Sequence, residues 1–431
     1  MTTRSKSSRP NSWLHQRIGW ALLIVVILAA AGELGVRGFR RALSDMQDFA
    51  VIYSSTRAFE TGKNPYDNAA MREAWLEANH EKTADPGPQD LALYPPATYL
   101  LLSPLALMDW TQVRWAWILI NLLSVTVLIV TLPRYWLGKL PPWKAACATA
   151  FIFGFGPIHT AIAKGQLAVP VAALLALALA ARVRDLPTLA AILIALAASL
   201  KPQIVAPIIV LYLIQKQWKA LAVVAGVTSG LICMAWLRMS WADVSWIGPL
   251  LHNVSVASKP GGVYDPSPSN PLAFQLVNAS VLFHRITSNQ AVIDLVLAGI
   301  GVFVCLLLWK RGQSPSDLFA DPAAFSAACV LGLVLIAHRY YDAAVLIFVF
   351  VWALRVEGRP GARVAIAGCL LMAFPVPALL ISSGHARAPA EISQRLWDAV
   401  VIQQQSCLVL IILVAVTAVV ISNPTSEVVQ V

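Results

Sequence analysis

Residues 18–34 read IGWALLIVVILAAAGEL, and the chain then turns polar. Asp45-Met46-Gln47-Asp48-Phe49-Ala50-Val51-Ile52-Tyr53 runs on through Arg57 to Gly62-Lys63-Asn64-Pro65-Tyr66. The first run is long enough to cross a bilayer. It lacks a small-x-small exit, so it is expected to be kept as a signal anchor rather than cleaved. In the second stretch Phe49, Ile52, Tyr53, Thr56 and Phe59 recur at helical spacing and form one largely apolar stripe. That stripe predicts an amphipathic helix lying on the membrane face, with Asp45 and Asp48 beside it.

Outward from this stretch the chain is mostly oil. It has 431 residues, 58% of them hydrophobic and 13% charged, with a mean hydropathy of +0.68. A soluble chain of this length would carry about a quarter charged residues. Apolar blocks follow one another along the sequence, which predicts an all-α polytopic membrane protein. The formal charge of +10 sits at the ends of apolar blocks, where Lys and Arg anchor helices. No interleaved basic and aromatic face supports a nucleic-acid partner. The six cysteines fall in different apolar blocks without CxxC spacing, so they read as small buried hydrophobes rather than disulfides or metal ligands.

We read residues 1–431 as one integral membrane domain. A basic, Ser-rich cytoplasmic tail at 1–16 precedes the first span, and residues 36–110 form the first extracytoplasmic loop. A second helix is predicted there at 66–82. Tyr94-Pro95-Pro96 stops any helix and launches the apolar run 97–108, which is short for a span and reads as re-entrant or interfacial. A second span follows at 111–132. Further apolar blocks run 145–159, 166–181, 186–200, 202–214, 217–237, 290–309, 322–336, 340–354, 361–382 and 400–421, giving ten to thirteen transmembrane helices in all. Alternation from an inside N-terminus collects Arg134, Lys139, Lys144, Arg182, Arg184, Lys216, Lys219, Lys310, Arg311 and Arg355 on the cytoplasmic side. The Asp48 stretch, Gly165, Lys201, the long loop 238–289 and His338 then face outward, where nucleotide-sugars are absent. No Walker A, dinucleotide glycine motif or HExxH is found. No cofactor and no metal are expected, and chemistry on that side would draw on an activated lipid.

Each candidate has a structural and a chemical reading. Asp48 is either a solvated helix charge or a base that takes a proton from an acceptor hydroxyl. Lys201-Pro202-Gln203 breaks an apolar tract, and a lysine there costs roughly 2.5–3.5 kcal/mol. It either snorkels to the interface or meets a lipid phosphate. His338-Arg339-Tyr340-Tyr341-Asp342 is a dense polar cluster able to stabilise charge on a departing phosphate. In the 238–289 loop, Trp241, Trp246, Tyr264 and Ser269-Asn270-Pro271 suit sugar stacking and hydrogen bonding, or an interfacial aromatic belt. Gly261-Gly262 and the nearby prolines predict a mobile or irregular segment.

Taken in order, these pieces resemble the polyprenyl-phosphate-mannose-dependent mannosyltransferases of glycosyltransferase family 87, which are GT-C enzymes. The matching residues are Asp48-Phe49 through Gly62-x-x-Pro65-Tyr66, Tyr94-Pro95-Pro96 with Pro104-Leu105, Gly165-Gln166, Lys201-Pro202, Ser269-Asn270-Pro271 and His338-x-Tyr340-x-Asp342. The resemblance implies inverting transfer of a hexose, mannose above all, from a polyprenyl-phosphate donor to a lipid or glycan acceptor outside the cell membrane. It implies Asp48 as general base and His338 as a second functional residue. Lys201, Tyr94, Gln166, Asn270, Arg339 and Tyr66 would contact substrates. Membrane lipids would surround the protein. The chief rival is a transporter or flippase of lipid-linked sugars, but that class usually shows internal repeats and none is found here. An oligosaccharide ligase and a non-catalytic scaffold are further alternatives.

Overall fold

The computed structural model describes residues 12–79, 87–88, 90–137, 140–313, 317–384, 387–389 and 392–422. Among them the regular structure is helical, and the one β-type pairing is an isolated antiparallel bridge between Leu276 and Arg339. Six helices among the described residues are long and apolar enough to cross a membrane: Gln16–Asp45, Trp110–Trp136, Trp218–Trp241, Gln290–Gly312, Pro360–Ser382 and Gln404–Ser422. A bent pair, Pro142–Gly154 with Gly156–Lys164, turns by 43° and would make a seventh. The other helices of the ten to thirteen expected include the short apolar ones Pro96–Leu107, Ala168–Val183, Pro187–Leu200, Pro202–Ile214 and Pro322–Leu335. At a rise of about 1.5 Å per residue, they fall well short of the hydrocarbon thickness one by one.

The N-terminal span does not stop where the apolar run ends. It continues through a π-helical stretch, Leu34–Arg40, so ordered helix reaches Asp45 rather than giving way to loop at Val36. Most of the tail expected at 1–16 lies outside the described residues; the helix itself begins at Ser12. The second loop helix is present as Asn68–Asn79; of its expected range, 66–67 precede the helix and 80–82 lie outside the described residues.

The Gln47–Glu60 helix forms where the stripe predicts it, but it does not lie on a membrane face. Residues 49–56, 58 and 59 are all buried, because the Asn68–Asn79, Pro96–Leu102 and Ser103–Leu107 segments pack around it. Its far side carries Ser54 and Ser55, small enough to be enclosed; Ser55 Oγ donates to Met71 Sδ at 2.9 Å. On the striped side Phe49 stacks on Trp117 at 4.4 Å, and Tyr53 Oη donates to the Met108 carbonyl at 2.6 Å. Arg57 Nη1 donates to the Ala106 carbonyl at 2.7 Å. The apolar stripe was read for the wrong neighbour: protein, not lipid, covers it.

Pro95 is extended and Pro96 starts the next helix, as proline favours at a first helical position. That helix tightens into a 3₁₀ turn at Ser103–Leu107 and hands over to Asp109. The Asp109 carboxylate accepts from Gln112 N at 2.8 Å, capping the long Trp110 helix. Across the molecule the centre is the Ala168–Val183 helix, buried along most of its length, with Phe325 and Phe348 closing around Trp136.

The loop expected to be mobile is irregular but fastened. Asp265 accepts from Gly261 N at 2.8 Å, from Ser267 N at 2.9 Å and from Ser269 Oγ at 2.6 Å. Further on, Val277 N donates to the His338 carbonyl at 2.8 Å, beside the Leu276–Arg339 bridge.

Candidate active site

A cavity of about 290 Å³ is walled by segments far apart in sequence, among them Asp48, Asp90 to Pro95, Gln166, Lys201 to Gln203, the 256–264 loop, Arg339 and Tyr341. Its polar groups converge because helices start or break at them. Asp48 occupies the first turn of the Gln47–Glu60 helix. Lys201 lies in the gap between the Pro187–Leu200 and Pro202–Ile214 helices, with φ −151° and ψ 77°. Proline after it disfavours a helical conformation at Lys201.

Three consecutive residues hold the start of the Asp48 helix. Lys164 Nζ pairs with Asp45 Oδ1 at 2.8 Å. Gly165 takes the left-handed conformation, φ 73°, and a Cβ built there would strike the Phe49 side chain. Gln166 Nε2 donates to Asp48 Oδ2 at 2.5 Å. The Gln166 carbonyl oxygen in turn accepts from Tyr94 Oη at 2.9 Å and from Lys201 Nζ at 3.1 Å. Lys201 also forms an ion pair with Asp342 and lies over the Tyr341 ring, 4.9 Å from its centroid. Asp342 Oδ2 stands 3.1 Å from His338 Nδ1. One polar chain thus runs Asp48, Gln166, Lys201, Asp342, His338.

Of the residues picked from sequence, Asp48, Tyr94, Gln166, Lys201 and Arg339 line the cavity. Three do not. His338 sits behind Asp342 and is 1% exposed. Tyr66 is buried and donates its hydroxyl to the Tyr94 carbonyl at 2.9 Å, so it shapes the turn rather than facing the space. Asn270 donates to the Asp265 carbonyl and accepts from Leu272 N, both at 2.8 Å, which consumes its amide in folding the loop. The missing member is Asp90, a second carboxylate on the wall. Sequence reasoning left it out; its place four residues before Tyr94 was the available signal.

Burial raises the Asp48 carboxyl above its ordinary value of 3.8, partly offset by the Gln166 hydrogen bond. A carboxylate so placed is a stronger base than a solvated one. The two cations differ. Lys201 is held by Asp342, whereas among the described residues no carboxylate pairs with the Arg339 guanidinium. The cavity therefore offers a base, an amide that orients it, and a cation open to an anionic group. That combination suits transfer from a phosphate leaving group to a hydroxyl.

The features together are those of a multi-pass helical protein with a polar cavity gathered from distant segments. The chain belongs to glycosyltransferase family 87, whose model matches residues 92–337, more than half of it. Tyr94, Gln166 and Lys201 fall inside the matched stretch; Asp48 and Arg339 fall outside it. The chain is similar to an alpha-(1->3)-arabinofuranosyltransferase of Corynebacterium glutamicum, 27% identical over 242 residues, covering 54% of this chain and 52% of that protein. It thus spans about half the length of this curated relative. No solved structure matches.

Proposed function

We propose that this protein transfers a single hexose, mannose, from a polyprenyl-phosphate donor to a hydroxyl of a lipid or glycan acceptor, with inversion, on the outer face of the cell membrane. The carrying observation is that Asp48 and Arg339 face one cavity. Asp48 takes the acceptor hydroxyl proton as the new C1–O bond forms. The C1–O(phosphate) bond breaks with its electron pair moving onto the phosphate, where Arg339 meets the charge. One base and one leaving group suffice, and the paired carboxylates of a hydrolase are not required. Lys201, fastened to Asp342, holds Gln166 and through it the base. The outward orientation rests on the basic short loops assigned to the cytoplasm.

Arabinofuranose is the second candidate sugar, favoured by the name of the Corynebacterium relative. Membranes containing the wild-type protein or Asp48→Asn are supplied with labelled polyprenyl-phosphate-mannose or polyprenyl-phosphate-arabinofuranose. Label passing to an acceptor only with wild type and only from the mannose donor supports the proposal. Transfer only from the arabinose donor replaces the sugar, and transfer unchanged in Asp48→Asn removes Asp48 as base.

A further inference from the structure

Away from the catalytic cavity the structure holds a second pocket of about 300 Å³, lined by Pro268, His284, Arg285, Ile286, Thr287, Ser288 and Asp398. Its polar groups are gathered from two distant parts of the chain: the end of the long loop, and the short helical segment ahead of the last span. Arg285 Nη1 lies 3.9 Å from Asp398 Oδ2. With the Gln403 amide in its hydrogen-bonding orientation, its oxygen accepts from Arg285 Nη2 and its nitrogen donates to the Ala273 carbonyl, both at 3.2 Å. The guanidinium is thereby aimed and fixed. Among the described residues two nitrogens buried in these side chains, Arg285 Nε and His284 Nε2, have no partner. Buried polar atoms are rarely left without one.

We propose that this pocket binds a neutral sugar unit of the glycan acceptor, away from the hydroxyl that reacts. The inference rests on the glycosyltransferase reading and adds a substrate contact to it. The lining mixes a cation, an anion, an imidazole and two hydroxyls, so it presents donors and acceptors side by side. Sugar hydroxyls are both at once and satisfy such a mixture. A phosphate or carboxylate would gain from Arg285 but face Asp398, and a cation would meet the reverse. The volume lies at the lower end of small-molecule sites, about 300 Å³. The pocket is also joined to the catalytic wall. Pro268 belongs to the loop that Asp265 knots together with Gly261, and Gly261 and Tyr264 line the cavity. The strand of chain between the two sites is pinned to His338 and Arg339.

The test is a titration of the full-length protein in lipid nanodiscs, following tryptophan fluorescence, since Trp397 adjoins Asp398. The probes are mannobiose, arabinobiose and inorganic phosphate, on wild type, Asp48→Asn, Asp398→Asn and Ser288→Trp. Ser288→Trp fills the pocket from an exposed position, and it guards against Asp398→Asn acting through the fold. We expect saturable binding of one disaccharide by wild type and Asp48→Asn, weakened at least tenfold in both other variants. Binding unaffected by Ser288→Trp, absence of saturable disaccharide binding, or tight binding of phosphate alone would each overturn the pocket assignment. Donor turnover measured on the same preparations separates the two ideas: its loss in wild type counts against the glycosyltransfer reading, and its retention with no disaccharide binding counts against this pocket alone.

Discussion

The Gln166 amide stands between Asp48 and Lys201, donating to the carboxylate at 2.5 Å and accepting from the ammonium at 3.1 Å. A carboxylate and a cation that would otherwise attract are held apart by a group that satisfies both. Among the described residues this bond engages one Asp48 oxygen only, and the amide cannot flip without losing both contacts.

Replacing Gln166 by Leu removes the hydrogen bond that lowers the Asp48 pKa and leaves desolvation opposed only by the charges of Arg339 and Lys164. The acid limb of the transfer rate against pH should move to higher pH, with the alkaline side reduced far less. Wild-type and Gln166→Leu profiles measured between pH 4 and 8 check this; coincident acid limbs would show that Gln166 does not act through Asp48.

Asp48→Asn should cut transfer by about 10²- to 10⁴-fold while donor binding persists. It should also stabilise the protein. The folded pKa of Asp48 is raised, so its protonated form favours folding below the ordinary value of 3.8, and that contribution is lost as pH rises through the folded value. The variant, never charged, should melt later than wild type at pH 7 and alike at pH 4. Thermal unfolding at both values tests the sign.

Asp342→Asn strands the Lys201 ammonium in a site where it is 3% exposed. Removing one partner of a buried pair costs about 3–5 kcal/mol, a loss visible in expression and melting temperature. Lys201→Met combined with Asp342→Leu should recover most of that stability and none of the activity. Recovered activity would show the pair to be purely structural.

Gly165→Ala should destabilise by about 1–3 kcal/mol, the usual scale of backbone strain at such a conformation, and lower transfer by displacing Phe49 and the turn that carries Asp48. Lys164→Met breaks the neighbouring Asp45 pair at a partly exposed site, where pairs contribute little, and should have the smaller effect in both assays.

Arg339→Gln should weaken turnover by about 10²- to 10³-fold if the guanidinium meets the leaving phosphate. Arg339→Lys should restore part of that loss by returning the charge without the fork geometry. Equal defects in both variants would show that positive charge alone does not account for the role of Arg339.

Much of the wall was legible because polar residues stand out in oil. Asp48, Gly165-Gln166, Lys201 and Arg339 interrupt apolar blocks, and each interruption must be offset by a partner or a use. Asp90 carries the same chemistry but interrupts no apolar block, so its nearness to Tyr94 alone marks it. Tyr66 and Asn270 misled for the opposite reason. Their side chains suit sugars, but the same hydrogen-bonding capacity serves backbone here, and only coordinates tell which partner a polar atom has taken. The environment of the Gln47–Glu60 helix was hidden because a stripe records that one face is covered, not by what, and because Ser54 and Ser55 are small enough to be buried without looking apolar.

The pairings that complete the polar chain also set an order for its making. Asp48 meets Gln166 across 118 residues, and Lys201 waits 141 residues for Asp342. During synthesis the lysine therefore enters the membrane long before its counter-ion leaves the ribosome, and its charge must be sheltered meanwhile by lipid headgroups, water or the insertion machinery. A nascent chain stalled before residue 342 carries an unmatched cation at the break between two short helices.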